Sequence, residues 1–270
     1  MTAIKKVAVV AAIAAMALLA TSCQKLKARD HLNKGVQAFK NAQYPQAVEH
    51  FKIAVELDPT FSTGRLYLAI AYMNQYIPGA ESPDNVQMAK AAMDEFMKVL
   101  EQDPKNAVAI GYIANLYLNQ KEWEQARQWN ERLISVEPNN KEAYYSLGFI
   151  TWSRWYPEYG KARAELGMKP EDPGPIKDKK VKEKLKAEFL PMINEGLKNL
   201  EKALQLDPEY DDAMAYVNLL TRERADLMDT AEEYKKEIEI ADNWIQKALA
   251  AKKAKAERKP AGGITTEETK

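Results

Sequence analysis

Cys23 is the only cysteine of the chain, and His31 and His50 are its only histidines, so a search for chemistry starts with them. A lone thiol can act as a nucleophile, a metal ligand or an acyl acceptor, but it cannot form a disulfide within one chain. A metal centre needs several convergent ligands, and neither histidine has a cysteine or a motif partner beside it. His31 is therefore read as a partly buried structural residue. The chain has no G-x-S-x-G, no P-loop and no G-x-G-x-x-G. The acid pairs Asp211-Asp212 and Glu232-Glu233 stand beside expected helix starts, where they complement the helix dipole. These residues point to a protein that is not an enzyme and binds no metal. What remains is recognition chemistry, above all Tyr145, Phe149 and Trp152, whose i, i+4, i+7 spacing sets three aromatic rings on one helical face.

Composition narrows the class of partner. The chain is 46% hydrophobic and 29% charged, enough apolar material for a substantial core. Its formal charge is zero, and removing Lys5 and Lys6 with an N-terminal leader makes it slightly acidic. Nucleic acid, whose phosphates favour a basic surface, is not an expected partner.

Met1 to Lys6 form a short basic segment, and Val7 to Ala20 an apolar run of 14 residues. A membrane span needs about 20, so the run fits a secretory signal peptide, residues 1–22. The sequence Leu19-Ala20-Thr21-Ser22-Cys23 resembles the lipobox of bacterial lipoproteins, with Ala20 where Leu is commonest. The resemblance implies cleavage before Cys23, a diacylglyceryl group on its sulfur, and no cofactor beyond this covalent lipid. Residues 23–27 would be the lipidated terminus and a short tether. By similarity to enteric sorting rules, Gln24 rather than Asp after the cysteine implies the outer membrane, facing the periplasm.

The elements that must position the aromatic face come from an internal repeat. Ala107 to Asn140 reads as two helices and a turn, with Ile110, Ile113, Ala114 and Tyr117 on one face, Trp123, Ala126, Asn130 and Leu133 on the next, and Pro138 closing the unit. Spacing and residue types are similar to the tetratricopeptide (TPR) repeat, whose 34-residue helix pairs stack side by side. The same frame recurs from Ala28, with Gly35, Ala38, Tyr44, Ala47, Phe51, Ala54 and Pro59 in phase. Acid-proline steps at Asp58-Pro59, Asp103-Pro104, Glu137-Pro138 and Asp207-Pro208 mark the repeat ends.

The expected fold is all-α, a TPR superhelical solenoid of about five helix-turn-helix repeats over residues 28–255, with insertions in repeats 2, 4 and 5. The repeats cover about 28–61, 62–106, 107–140, 141–210 and 211–255. The insertion of repeat 2, around Pro78-Gly79 and Ser82-Pro83, should lie between its two helices. That of repeat 4 contains WSRWYPEYG, PEDPGP and a Lys-rich run from Lys177 to Lys186. It reads as an extended loop holding a short helix, then a lengthened second helix, with the lysines on a solvated face. Repeat 5 has a long gap between its helices, and residues 256–270 read as a disordered tail.

The TPR resemblance also implies a concave groove lined by positions 2, 5, 9 and 12 of each first helix. These are Arg29, Leu32, Val36 and Phe39; Thr63, Leu66, Ile70 and Met73; Val108, Gly111, Asn115 and Leu118; Glu142, Tyr145, Phe149 and Trp152; and Asp212, Ala215, Leu219 and Arg222. Phe39, Met73, Asn115, Leu118, Tyr145, Phe149, Trp152 and Arg222 are the expected contacts to a protein or peptide partner, with Asn115 and Arg222 supplying orienting hydrogen bonds. The clamp of chaperone-binding TPR domains, Lys at position 5 and Asn at 9, is replaced by Leu32 and Val36, then by Leu66 and Ile70. The expected function is a membrane-anchored scaffold or adaptor of the bacterial cell envelope. A carrier of lipid or another small apolar ligand in the groove is the alternative. The aromatics of repeat 4 could instead be covered by the insertion that follows them.

Overall fold

The computed structural model describes residues 23–169 and 171–258, so the expected signal peptide and residues 259–270 lie outside the described residues. Helix α1 spans residues 23–40. After it come α2 (Tyr44–Leu57), α3 (Ser62–Met73), α4 (Pro83–Gln102), α5 (Ala107–Asn119) and α6 (Trp123–Val136), then α7 (Lys141–Glu165), α8 (Lys179–Leu206), α9 (Asp211–Ala225) and α10 (Ala231–Arg258). The described residues contain no strand, and no helix among them is long and apolar enough to cross a membrane. The chain divides into two compact units, Met1–Trp129 and Asn130–Lys270.

In the first unit, small residues let helices approach closely. A Cβ on Gly35 would stand 2.4 Å from the Phe51 ring, so only glycine allows this approach of α1 to α2. Ala38, Ala47, Phe51, Leu68 and Ala71 form the buried centre there. The insertion of repeat 2 lies between α3 and α4 as expected, and Asn85 anchors it. Its side chain accepts from the Ile77 N–H at 2.7 Å and donates to the Ile77 and Ala80 carbonyls at 2.8 and 2.7 Å. Ser82 caps α4 by accepting from the Asn85 N–H, with Pro83 at the first helical position.

The second unit uses the same device between α7 and α8. A Cβ on Gly148 would meet Leu200 at 2.3 Å, and one on Gly196 would meet Thr151 at 2.5 Å. In repeat 5 the corresponding position is Asn218, which is buried and donates to the Ala241 carbonyl of α10 at 2.6 Å.

Four expectations are corrected. The insertion of repeat 4 is not an extended loop with a short helix, because α7 runs on to Glu165, straight through Pro157; the expected lengthened second helix is α8, which starts at Lys179. Trp155, Tyr159 and Arg163, at i+4 spacing, give the added turns an inward face, and complete burial of Trp155 against Phe189 rewards it. Pro157 and Pro191 both point to solvent, which reduces the cost of the missing helix hydrogen bond. The apparent gap of repeat 5 is the first turns of α10, which begins after a short turn and is held there by Arg224 to Glu237 at 2.7 Å. Residues 23–27, expected as a short tether, are helical and form the start of α1. Residues 256–258 of the expected tail are helical, and Arg258 pairs with Glu209 at 2.6 Å.

Candidate protein-interaction surface

None of the residues carried to positions 2, 5, 9 and 12 of the five first helices is buried. Burial alternates with them along each helix, so α1, α3, α5, α7 and α9 each keep one row that is at most half-buried, largely apolar on the first four and on α9 divided between Ala215, Leu219 and the charged Asp212 and Arg222. In the first unit Phe39, Met73 and Leu118 are half-buried, while Asn115 is exposed and accepts a hydrogen bond from Asn119 at 2.9 Å. Phe39 packs edge-on against Tyr44, with centroids 5.3 Å apart.

The aromatic row lies in the second unit, together with Arg222. Tyr145, Phe149 and Trp152 are half-buried, and they meet α9 and, at Trp152, Tyr156 of the insertion. Tyr216 is the hub: its ring centroid lies 5.7 Å from Tyr145, 5.3 Å from Phe149 and 5.5 Å from Trp152. Tyr210 joins Tyr145 at 5.0 Å and Tyr156 stacks on Trp152 at 4.9 Å. Ring separations of this size suit offset and edge-to-face aromatic contacts. Arg222 is not a free donor, because it reaches Asp242 of α10 at 2.5 Å. Its side chain belongs to the α9–α10 packing.

Tyr216 escaped the sequence reading, yet a signal for it exists. It takes the sixth position of its repeat, as Tyr67 and Tyr112 do, and those two rings stack on Phe51 and Phe96 of the preceding second helix. The matching residue of α8 is Leu200, and the ring of Tyr216 lies against those of α7.

Beneath this surface is a buried polar cluster that the sequence did not announce. Trp152 Nε1 donates to Glu223 Oε1 at 3.0 Å, while Glu223 Oε2 is buried without a protein partner. Burial raises the Glu223 carboxyl from 4.5 to about 7. Nearby, Asp226 pairs with Arg163 and accepts from the Tyr159 hydroxyl at 2.9 Å. Burial also pushes the Asp226 carboxyl up, and its hydrogen bonds with Tyr159 and Arg163 oppose that shift. Arg163 further donates to the Lys169 and Asp172 carbonyls at 2.8 and 2.6 Å, which ties the 166–178 segment to α7.

The remaining reactive groups fall elsewhere. Cys23 is a free thiol, exposed at the start of α1. His31 and His50, on neighbouring helices and without a motif partner in the sequence, face each other with Nδ1 atoms 3.3 Å apart. Among the described residues, no group of three His, Cys, Asp or Glu side chains could hold a metal ion.

Comparison with known proteins agrees with this architecture. Residues 87–148 match the tetratricopeptide repeat family model. The solved structure described as MamA 41-end from Desulfovibrio magneticus RS-1 is similar over 84% of this chain and 96% of its own, at a TM-score of 0.55 and 16% identity. YrrB, described as a TPR protein with an unusual peptide-binding site, is similar over 83% of this chain and 90% of its own, at a TM-score of 0.51 and 17% identity. The fold is that of a TPR solenoid. Among curated proteins, transcription factor tau subunit sfc4 of Schizosaccharomyces pombe is 27% identical over 118 residues, 43% of this chain. The chain spans only 11% of the length of that relative.

Proposed function

We propose that this protein is a non-catalytic scaffold, anchored by lipid on Cys23 to a bacterial envelope membrane, that binds protein or peptide partners through its first-helix rows. The observation that carries the binding role is the incompletely buried row on each first helix, mostly apolar on α1, α3, α5 and α7 and densest in aromatics on α7. Tyr and Trp dominate binding energy at protein interfaces, so Tyr145, Trp152 and Tyr216 are the anchors. YrrB, which shares the fold, is described as having a peptide-binding site, and this supports the same use here.

The lipobox-like sequence supports the anchor, and so does the character of the first turns of α1. Leu26 is 70% exposed and serves no core contact, and Lys25, Lys27 and Arg29 are exposed around it. An apolar residue flanked by cations suits a headgroup layer containing anionic lipids. Outer-membrane placement facing the periplasm follows from the sorting resemblance at Gln24.

Phe149→Ala together with Trp152→Ala is expected to abolish capture of envelope partners; both rings also pack on Tyr216 and Trp152 bonds to Glu223, so the melting temperature falls as well and capture is measured on the protein that stays folded. Capture that persists would sink the binding role. Cys23→Ser is expected to end detergent partitioning and acyl labelling without unfolding the repeats. Continued membrane fractionation of that variant would refute the anchor.

A further inference from the structure

We propose that the α7–α9 aromatic surface takes a cationic segment of its partner, with a Lys or Arg side chain held over Trp152, Tyr216 and Tyr145. This rests on the binding role proposed above and names the chemistry of the occupant.

Three observations set the sign of the charge. First, carboxylates flank the rings. Asp212 lies one turn before Tyr216 on α9, and Glu142 lies one turn before Tyr145 on α7, so each acid shares a face with a ring. Asp212 is exposed and makes no ion pair among the described residues. Burial is the main cause that holds the Tyr145, Tyr210 and Tyr216 phenols above their ordinary range, and the Asp212 charge adds to it at all three, behind Tyr216 at Tyr145 and behind Glu142 at Tyr210.

Second, the cations nearby are already committed. Lys141 bonds to Asp207 at 2.6 Å and is 3.8 Å from Glu142, and Arg222 bonds to Asp242. An acidic ligand would face Asp212 and Glu142, beside two cations, Lys141 and Arg222, that already have carboxylate partners. Third, the ring cluster already accepts a cation of this chain, since Lys141 Nζ lies 5.1 Å from the Tyr210 ring centroid. Trp and Tyr faces attract cations through their ring quadrupoles, and an adjacent unpaired carboxylate adds Coulomb attraction. A purely apolar occupant would leave the Asp212 carboxylate without a use and would desolvate it.

The test uses the full chain, purified in detergent, and three fluorescent nonapeptides of one Gly-Ser backbone. Each carries three Arg, three Leu or three Glu at the same places. The Arg peptide is expected to bind at least ten-fold more tightly than the other two, since each ring-held cation contributes from a few-fold to about 30-fold. Raising salt from 50 to 300 mM should weaken it several-fold. Asp212→Asn with Glu142→Gln should cost the Arg peptide a further three- to ten-fold, while Glu232→Gln, on α10, changes nothing. Circular dichroism melting checks that both variants stay folded.

Equal or tighter binding of the Leu peptide without salt dependence overturns the cationic occupant, as does preference for the Glu peptide or binding of none. Each of those results combined with partner capture that still depends on Phe149 and Trp152 would remove the cation and leave the scaffold role standing. Loss of that dependence would remove both.

Discussion

The two units handle buried charge differently. Between α3 and α4, Arg65 and Glu95 pair at 2.7 Å with side chains still 11% and 14% exposed, and Lys98 joins the carboxylate from the surface. Between α7 and the end of α9, Arg163 and Asp226 pair with only 5% and 4% exposed, sealed by Tyr159 and the 166–178 segment. The helices explain the contrast. α2, α3, α5 and α6 have 12 to 14 residues, as a 34-residue repeat allows, whereas α7, α8 and α10 have 25 to 28. Turns added beyond the ordinary repeat need a core of their own. Trp155, Ile176, Leu185, Phe189 and Ile193 supply its apolar part, and the polar side chains carried inward with them must find partners there.

The largest test of this contrast removes one carboxylate from each pair. Asp226→Ala leaves the Arg163 guanidinium buried without compensation, and the loss expected in denaturant unfolding is about 3–5 kcal/mol. Glu95→Ala leaves Arg65 in reach of water and of the Pro59 carbonyl, so about 1 kcal/mol is expected. Equal losses would mean that the two environments do not differ as described.

Glu223 sharpens the contrast through pH. A carboxyl whose folded value is raised from 4.5 to about 7 binds its proton more tightly in the fold. Its contribution to stability is therefore complete below about 4.5, falls as pH rises to about 7 and is constant above. At 1.36 kcal/mol per unit, the change is of order 3 kcal/mol. The stability difference between the protein and Glu223→Gln should shift by that amount between pH 4.5 and 7.5, in favour of Gln at the higher pH. A difference independent of pH would show that Glu223 stays ionised throughout.

Close helix approach is the next effect in size. Gly196→Ala forces a methyl onto Thr151 and is expected to cost about 1–3 kcal/mol. Gly160→Ala on the same pair of long helices meets nothing within 4 Å and should gain about 0.5–1 kcal/mol. A matching pair of values would refute the packing between α7 and α8. The smallest effect is the cap in the first unit: Ser82→Ala should cost about 1 kcal/mol and leave the second unit unchanged. Thermal unfolding followed by circular dichroism reads both.

Much of the architecture is local and therefore legible in one sequence. Small residues at Gly35, Ala47, Ala54, Ala114, Gly148 and Gly196 mark where helices touch, and all are buried. Pro59, Pro104, Pro138 and Pro208 each fall two residues past the last residue of α2, α4, α6 and α8, where a proline cannot continue a helix. The row of Tyr145, Phe149 and Trp152 on one face of α7 followed from helical period alone.

Distant partners decided the rest. The stretch WSRWYPEYG, which contains Pro157 and Gly160, reads as part of a loop, and the helix continues through it because burial of Trp155 against Phe189, far along the chain, outweighs the local cost of those two residues. The start of α10 has few apolar residues to mark it and depends on Arg224 and Glu237 meeting across a turn. Tyr216 becomes the centre of the aromatic surface, and Glu223 a carboxyl that titrates near neutrality, only once α9 lies against α7. Period and capping act within a few residues, so a sequence states them directly. Desolvation and ring packing are properties of the assembled helices, and no single segment contains them.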